Sequence, residues 1–197
     1  MEQGQAAVVS TVRAEAGVRM AELDDFESVV RLHQRRVYRV LLGMVRDLDT
    51  AENLTQECFL KAYQRRASFR GEASVGVWLV KIAVNLAHDH RRSRLREFWQ
   101  RLFSVSEDVA DITASLPDPH PSPERVLLAQ EEVATVWSAI EKLSSQQRAV
   151  FILRFVEEMS LEEIAQATSL KLGTVKSHLF RAAGSIRQRM EEGRKHE

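Results

Sequence analysis

Toward the end of the chain, Thr174, Lys176, Ser177, Phe180 and Arg181 crowd a short stretch that opens after Gly173. Hydroxyls and long cations near the start of a helix are the groups that reach phosphates and base edges in a DNA groove. At about 100° per residue, Val175, Leu179, Ala182 and Ile186 share one face. Ser177, Phe180, Arg181 and Gly184 lie opposite, with Thr174 and Lys176 flanking them. A second candidate surface sits mid-chain, where Lys81, Asn85, His88 and Arg92 recur at helical spacing beside Arg91. A cation, an amide, an imidazole and a guanidinium in a row, with no acid among them, can follow a nucleic-acid strand, and Asn85 can bond a base edge. Trp78 lies next to this stripe and reads either as a stacking platform or as a core side chain.

Catalytic chemistry finds no such support. His88, Asp89 and His90 suggest a metal site, but helical positions two apart diverge by about 200°, whereas metal pairs need three- or four-residue spacing. No phosphate loop, zinc-protease helix or nucleophile elbow occurs. The sequence therefore predicts no catalytic residue, no metal, no cofactor and no enzyme.

The elements that must position these residues are helices. Phe26, Val30, Val37, Leu41 and Met44 repeat at three-, four- and seven-residue spacing. Asp49 with Glu52 reads as an N-cap and acidic first turn opening a second helix to about Arg66, and an apolar-periodic run from Val75 to about Arg94 gives a third. Leu79, Ile82, Ala83 and Leu86 form its core stripe. Ser144 to Gln147 and Ser160 to Glu163 fit the capping box, each announcing a helix after one near Glu124 to Leu143. The break at Thr168 to Lys171 between two helices has helix-turn-helix spacing. Strand signals are absent.

All four prolines fall between Pro117 and Pro123, where Asp118 and Glu124 continue an acidic run begun by Glu107, Asp108 and Asp111. Proline cannot continue a helix, so this stretch reads as a linker. The fold class is all-α: two small helical domains, 23–96 and 124–197, joined by a Pro-rich acidic linker at 97–123, with a loosely ordered extension at 1–22 in which Met20 is an alternative start. The 197 residues carry 28 Lys and Arg against 28 Asp and Glu, a zero net charge that argues against nucleic-acid binding until its segregation is seen. Arg91, Arg92, Arg94, Arg96 and Arg101 make one basic surface, and Lys171, Lys176, Arg181, Arg187 and Arg189 another, with the acidic strap between them. No apolar run is long enough to span a bilayer and no secretory signal opens the chain, so membrane insertion is not expected and the cytoplasm is. Cys58, the single cysteine, falls at the helical spacing of a buried thiol.

The segment Leu143 to Met190 resembles region 4 of bacterial sigma factors and is also similar to the LuxR-type output domain, since Thr174 to Leu179 fits both. It departs from the usual pattern at Ser169, where a glycine often makes the turn, and at Lys171, where a capping serine is common. The N-terminal half separates the two. Asp47 to Tyr63 resembles sigma region 2.2, and Phe69 to Glu72 with Trp78 to Asn85 and the basic tail to Arg94 resembles regions 2.3 and 2.4. The order, without a full region 3, is that of the small extracytoplasmic-function (ECF) sigma factors. This resemblance implies that Glu52, Asn53, Gln56 and Glu57 dock on core RNA polymerase. It implies that Trp78, Lys81, Asn85, His88, Arg91 and Arg92 open and read the −10 promoter element. Thr174, Lys176, Ser177, Phe180 and Arg181 would then read the −35 element. It places the specificity loop at Glu72 to Val77, makes an anti-sigma protein a plausible partner, and sends the acidic linker through the polymerase. The alternative is a stand-alone LuxR-type regulator.

Overall fold

The computed structural model describes residues 23–103 and 136–193, which include no strand. Helix α1 spans Phe26–Val45, α2 Leu48–Arg65 and α3 Val75–Phe103, with a 3-10 turn at Arg66–Ser68 between the last two. The C-terminal half adds α4 at 136–141, α5 Ser145–Phe155, α6 Leu161–Thr168 and α7 Leu172–Gly193. The prolines and most of the expected linker lie outside the described residues, as does the extension at 1–22.

Local chemistry sets the boundaries. Asp25 caps α1, accepting the Ser28 N–H at 3.2 Å, and this bond together with that from the Ser28 hydroxyl lowers its carboxyl below the usual range. The helix ends where Arg46 turns left-handed at φ 60°, returning its N–H to Leu42 O at 2.8 Å. Helix α2 starts earlier than its sequence predicts. Asp47, not Asp49, is the cap, accepting the Thr50 N–H at 2.7 Å, and Asp49 sits in the acidic first turn. Both capping boxes form: Ser144 with Gln147 ahead of α5, and Ser160 with Glu163 ahead of α6. Helix α3 runs on to Phe103, past the predicted end near Arg94.

Helices α1, α2 and α3 pack around Val37, Leu41, Cys58, Leu79 and Ala83, each of them 1% exposed or less. Each large apolar side chain so buried contributes about 1.5–3 kcal/mol. Phe26 meets Phe59 and Tyr63 edge to face, with centroids 6.4 and 5.2 Å apart, which fastens the start of α1 to the end of α2. Cys58 is buried as its spacing predicts, and burial pushes its thiol up to about 12.

The two halves share one apolar core. The cluster that begins at Leu23 continues without a break through Ala149, Ile152, Met159 and Ile164 to Val175. Helix α3 is buried on two sides, because Val80, Val84 and Ala87 are covered as well as the predicted stripe of Leu79, Ile82, Ala83 and Leu86. A satellite core of Ala139, Ile140, Leu143, Ala182 and Ile186 joins α4 to α7.

Candidate nucleic-acid interface

The helix-turn-helix is built around a serine in a left-handed turn. Ser169 closes α6 at φ 58°, and the Leu170 N–H reaches back to Ala165 O at 3.2 Å. A side chain in this conformation costs about 1 kcal/mol, which glycine avoids. Lys171 follows, supplying its carbonyl to the Thr174 and Val175 N–H groups at 2.8 and 3.0 Å; its side chain carries no oxygen with which to cap α7. Val175 is fully buried in the core that holds Ile164 and Ala167, while Ala182, fully buried, and Ile186, 7% exposed, pack with Ala139, Ile140 and Leu143, so the inner face of α7 is held along its length.

That anchoring turns the polar residues outward. Lys176, Ser177 and Arg181 are exposed, Thr174 is half-buried, and Phe180 is 83% exposed. The Ser177 hydroxyl donates to Gly173 O at 2.9 Å, leaving its oxygen lone pairs facing solvent as acceptors. Nothing lies within 4 Å of the place a Gly184 side chain would occupy, so the face stays flat beyond Arg181. A cationic, hydroxyl-bearing ridge with one aromatic ring suits a major groove, where the ring can meet a thymine methyl.

On α3, Lys81, Asn85, Arg91 and Arg92 are exposed along one side. Trp78 is half-buried against Phe69, with centroids 5.1 Å apart. It walls a cavity of about 520 Å³ with Arg70, Glu72, Lys81 and, from α6, Gln166. His88 leaves the stripe. It is half-buried toward the C-terminal half, its Nδ1 3.4 Å from Ser145 Oγ, and its Nε2 is buried without a hydrogen-bond partner. Burial, with Arg91 nearby, lowers its pKa.

The expected loop at Glu72 to Val77 is shorter than predicted. Val75, Gly76 and Val77 are buried in the first turn of α3, where Ser74 Oγ accepts the Val77 N–H at 3.3 Å. Gly76 therefore supplies space, not loop freedom. A β-carbon there would come within 3.2 Å of the Arg36 and His33 side chains. The glycine that bends the chain is Gly71, at φ 69°.

Glu52, Asn53 and Gln56 are exposed on α2, and Glu57 is half-exposed and bridged to Lys61 at 2.8 Å. Glu52 and Gln56 line a groove with Gln34, Arg35, Tyr38 and Thr55. Leu60, 57% exposed on the same helix, was not singled out by sequence, since one outward leucine leaves no mark on a helical period. Nor were Arg148 and Glu157. Arg148 is 8% exposed and donates to Ile140 O at 3.2 Å, to Met44 O at 2.9 Å and to Glu141 O. The one available signal was a cation in the inward register of α5, beside Ala149 and Ile152.

The comparisons follow this anatomy. The family described as Sigma-70 region 2 matches residues 29–97, and Sigma-70, region 4 matches residues 134–186. The chain is 33% identical over 171 residues to the RNA polymerase sigma-H factor of Pseudomonas aeruginosa, covering 82% of this chain and 83% of that protein. To the ECF RNA polymerase sigma-E factor of Haemophilus influenzae it is 30% identical over 175 residues, 88% and 92% of the two chains. Among solved structures, the sigma factor RpoE of Bartonella quintana, in complex with the anti-sigma factor NepR, has the same fold at 24% identity. Its TM-score is 0.65 over 85% of this chain and 97% of that one. With region 2 on α1 to α3 and region 4 on α4 to α7, the chain belongs to the ECF sigma factors, non-enzymatic proteins that bind core RNA polymerase and direct it to promoters.

Proposed function

We propose that the two halves divide the promoter between them. The C-terminal unit, 124–197, reads the −35 duplex with Thr174, Lys176, Ser177, Phe180 and Arg181. The N-terminal unit, 23–96, docks on polymerase through Glu52, Asn53, Gln56 and Glu57. It opens and reads the −10 element with Trp78, Lys81, Asn85, Arg91 and Arg92, with His88 joining only when α3 is uncovered. The observation that carries this reading is the outward ridge of α7, where cations and hydroxyls surround an exposed Phe180 on a helix held by Val175 and Ala182. The working compartment is the cytoplasm, consistent with the absence of a membrane-crossing helix among the described residues. The segment 97–123 joins the two units along the polymerase. An anti-sigma protein is a partner in keeping with the solved relatives, which are complexes of that kind.

Reconstitution with core polymerase on a promoter library tests the division. Run-off transcripts should depend on this chain and lose sequence preference at one −35 position when Arg181 is replaced. Tight, specific DNA binding by the free chain without polymerase would overturn it in favour of a stand-alone regulator.

A further inference from the structure

Polymerase docking and promoter reading leave one cavity unexplained. It measures about 360 Å³, and its polar lining is His90, Arg91 and Arg94 of α3 with Arg148 of α5. Met44 and Val45, at the end of α1, give it an apolar wall, and among the described residues no carboxylate lines it. Arg91 and Arg94 are exposed and enter no ion pair with any described residue. Two acids nearby are engaged elsewhere. Asp47, which feels Arg94 and His90, accepts the Thr50 N–H at 2.7 Å to open α2, and Glu141 pairs with Arg46 at 3.1 Å. Arg148 donates to Ile140 O, Met44 O and Glu141 O, which leaves two of its five N–H groups for a further acceptor. Burial, and then the proximity of Arg91, lowers the Arg148 pKa, the mark of like charges held close together.

The chemistry of this lining selects its ligand. A guanidinium presents paired N–H donors at the spacing of phosphate oxygens and is more weakly hydrated than an ammonium, so it binds that group with less loss of water. Three guanidiniums around one recess suit a doubly charged phosphate better than a carboxylate, which one fork already satisfies. Against Met44 and Val45 inorganic phosphate would set charge on an apolar surface, whereas a phosphate ester can lay its organic part there. The volume lies at the small end of the roughly 300–1,000 Å³ typical of ligand pockets, which fits a single nucleotide and gives a duplex no way in.

We propose that this cavity binds a small phosphate monoester of about mononucleotide size. Arg91, Arg94 and Arg148 hold the phosphate with His90 as a further donor, and the organic part lies against Met44 and Val45. The inference goes beyond promoter reading and does not depend on it, since the same side chains would hold the same ligand in a chain that read no promoter. By touching α1, α3 and α5 together, the bound ester stabilises the fold by mass action.

Titration calorimetry of the full-length chain at constant ionic strength tests it, with adenosine monophosphate as the probe and inorganic phosphate and adenosine as its two parts. Adenosine monophosphate should bind one to one and on the order of tenfold more tightly than inorganic phosphate, with no saturation by adenosine alone. Arg94→Gln should weaken that binding on the order of tenfold and His90→Gln by about threefold, each through loss of a donor to a charged group. Arg187→Gln removes the same charge from α7, outside the cavity, and should leave the affinity within about twofold. The nucleotide should also raise the urea midpoint of the wild-type chain, and this rise should vanish in Arg94→Gln. No saturable binding, equal affinity for adenosine monophosphate and inorganic phosphate, or equal weakening by Arg94→Gln and Arg187→Gln would overturn the proposal. A short DNA duplex is the other source of phosphate: if it displaces the nucleotide and its own binding falls equally in Arg94→Gln, the cavity is a backbone contact and the small-ligand assignment fails. Failure of the chain to direct transcription would strike the promoter reading instead and leave these affinities unchanged.

Discussion

Replacing Arg148 by methionine keeps the unbranched stem and removes the fork. In the native chain this guanidinium spans the ends of two helices, taking Met44 O near the end of α1 and Ile140 O and Glu141 O near the end of α4. Cations are favoured at helix C-termini, and hydrogen bonds to a charged group contribute about 1.5–3 kcal/mol each. Three of them give roughly 5–9 kcal/mol gross, against which burying the guanidinium costs several kcal/mol. That burial is visible in the pKa of Arg148, which is lowered chiefly by desolvation and then by Arg91. The net expected loss is about 2–4 kcal/mol, because Arg148→Met leaves three carbonyls under-satisfied and the two halves less firmly joined. Urea unfolding of the full chain, followed by circular dichroism and by tryptophan fluorescence, reads the change as a lower midpoint. Arg148→Lys should lose nearly as much, since one ammonium cannot reproduce the fork across both helix ends. A loss under about 0.5 kcal/mol for Arg148→Met would refute this account of the junction.

Ser169→Gly should stabilise the chain by about 0.5–1 kcal/mol in the same assay, by relieving the left-handed serine; destabilisation would show that the serine side chain has a role of its own. Arg181→Ala should weaken −35 binding by about 1–3 kcal/mol with relaxed preference at one base, whereas uniform weakening across all sequences would mark a phosphate contact. Glu57→Lys should lower affinity for core polymerase without shifting the urea midpoint, and an unaltered affinity would move the docking face elsewhere on α2. His88 gives the packing of the two halves a pH dependence. Burial chiefly opposes its protonation, Arg91 and Arg92 on its own helix add to that and Asp89 favours it, while Ser145 Oγ of α5 lies 3.4 Å from its Nδ1. Its pKa in this packing lies below the ordinary 6.5, so the packing is undiminished above that value and weakens as pH falls below it. His88→Gln should flatten the acid limb of the urea midpoint plotted against pH, and an unchanged limb would assign it to another group.

Most of this architecture is legible from local rules. Capping serines at Ser144 and Ser160, the inward face of Val175, Ala182 and Ile186, and the buried position of Cys58 follow from hydrogen-bond geometry and helical period, which act over a few residues. The start of α2 was misread by two residues because Asp47 and Asp49 are both competent caps, and only the observed bond to Thr50 distinguishes them. The second buried side of α3 and the fate of His88 were not legible. Val80, Val84 and Ala87 show that the helix is apolar there, but what covers them comes from more than fifty residues away in the sequence. Arg36, Arg39 and Glu157 look like ordinary surface charges until tertiary packing brings them together across 118 residues.

The depth of Cys58 makes it a chemical clock. A thiol moved from an ordinary 9.0 to about 12 carries about a thousandfold less thiolate at neutral pH, so an alkylating reagent meets almost no nucleophile while α2 and α3 stay packed. Modification must then wait for the N-terminal core to come apart, and its rate counts those excursions. Parting of the two halves leaves the Cys58 contact with Leu79 O intact, since both residues belong to the same half. A chain whose halves separate often but whose thiol is modified slowly is rearranging as rigid bodies; one in which both events quicken together is melting.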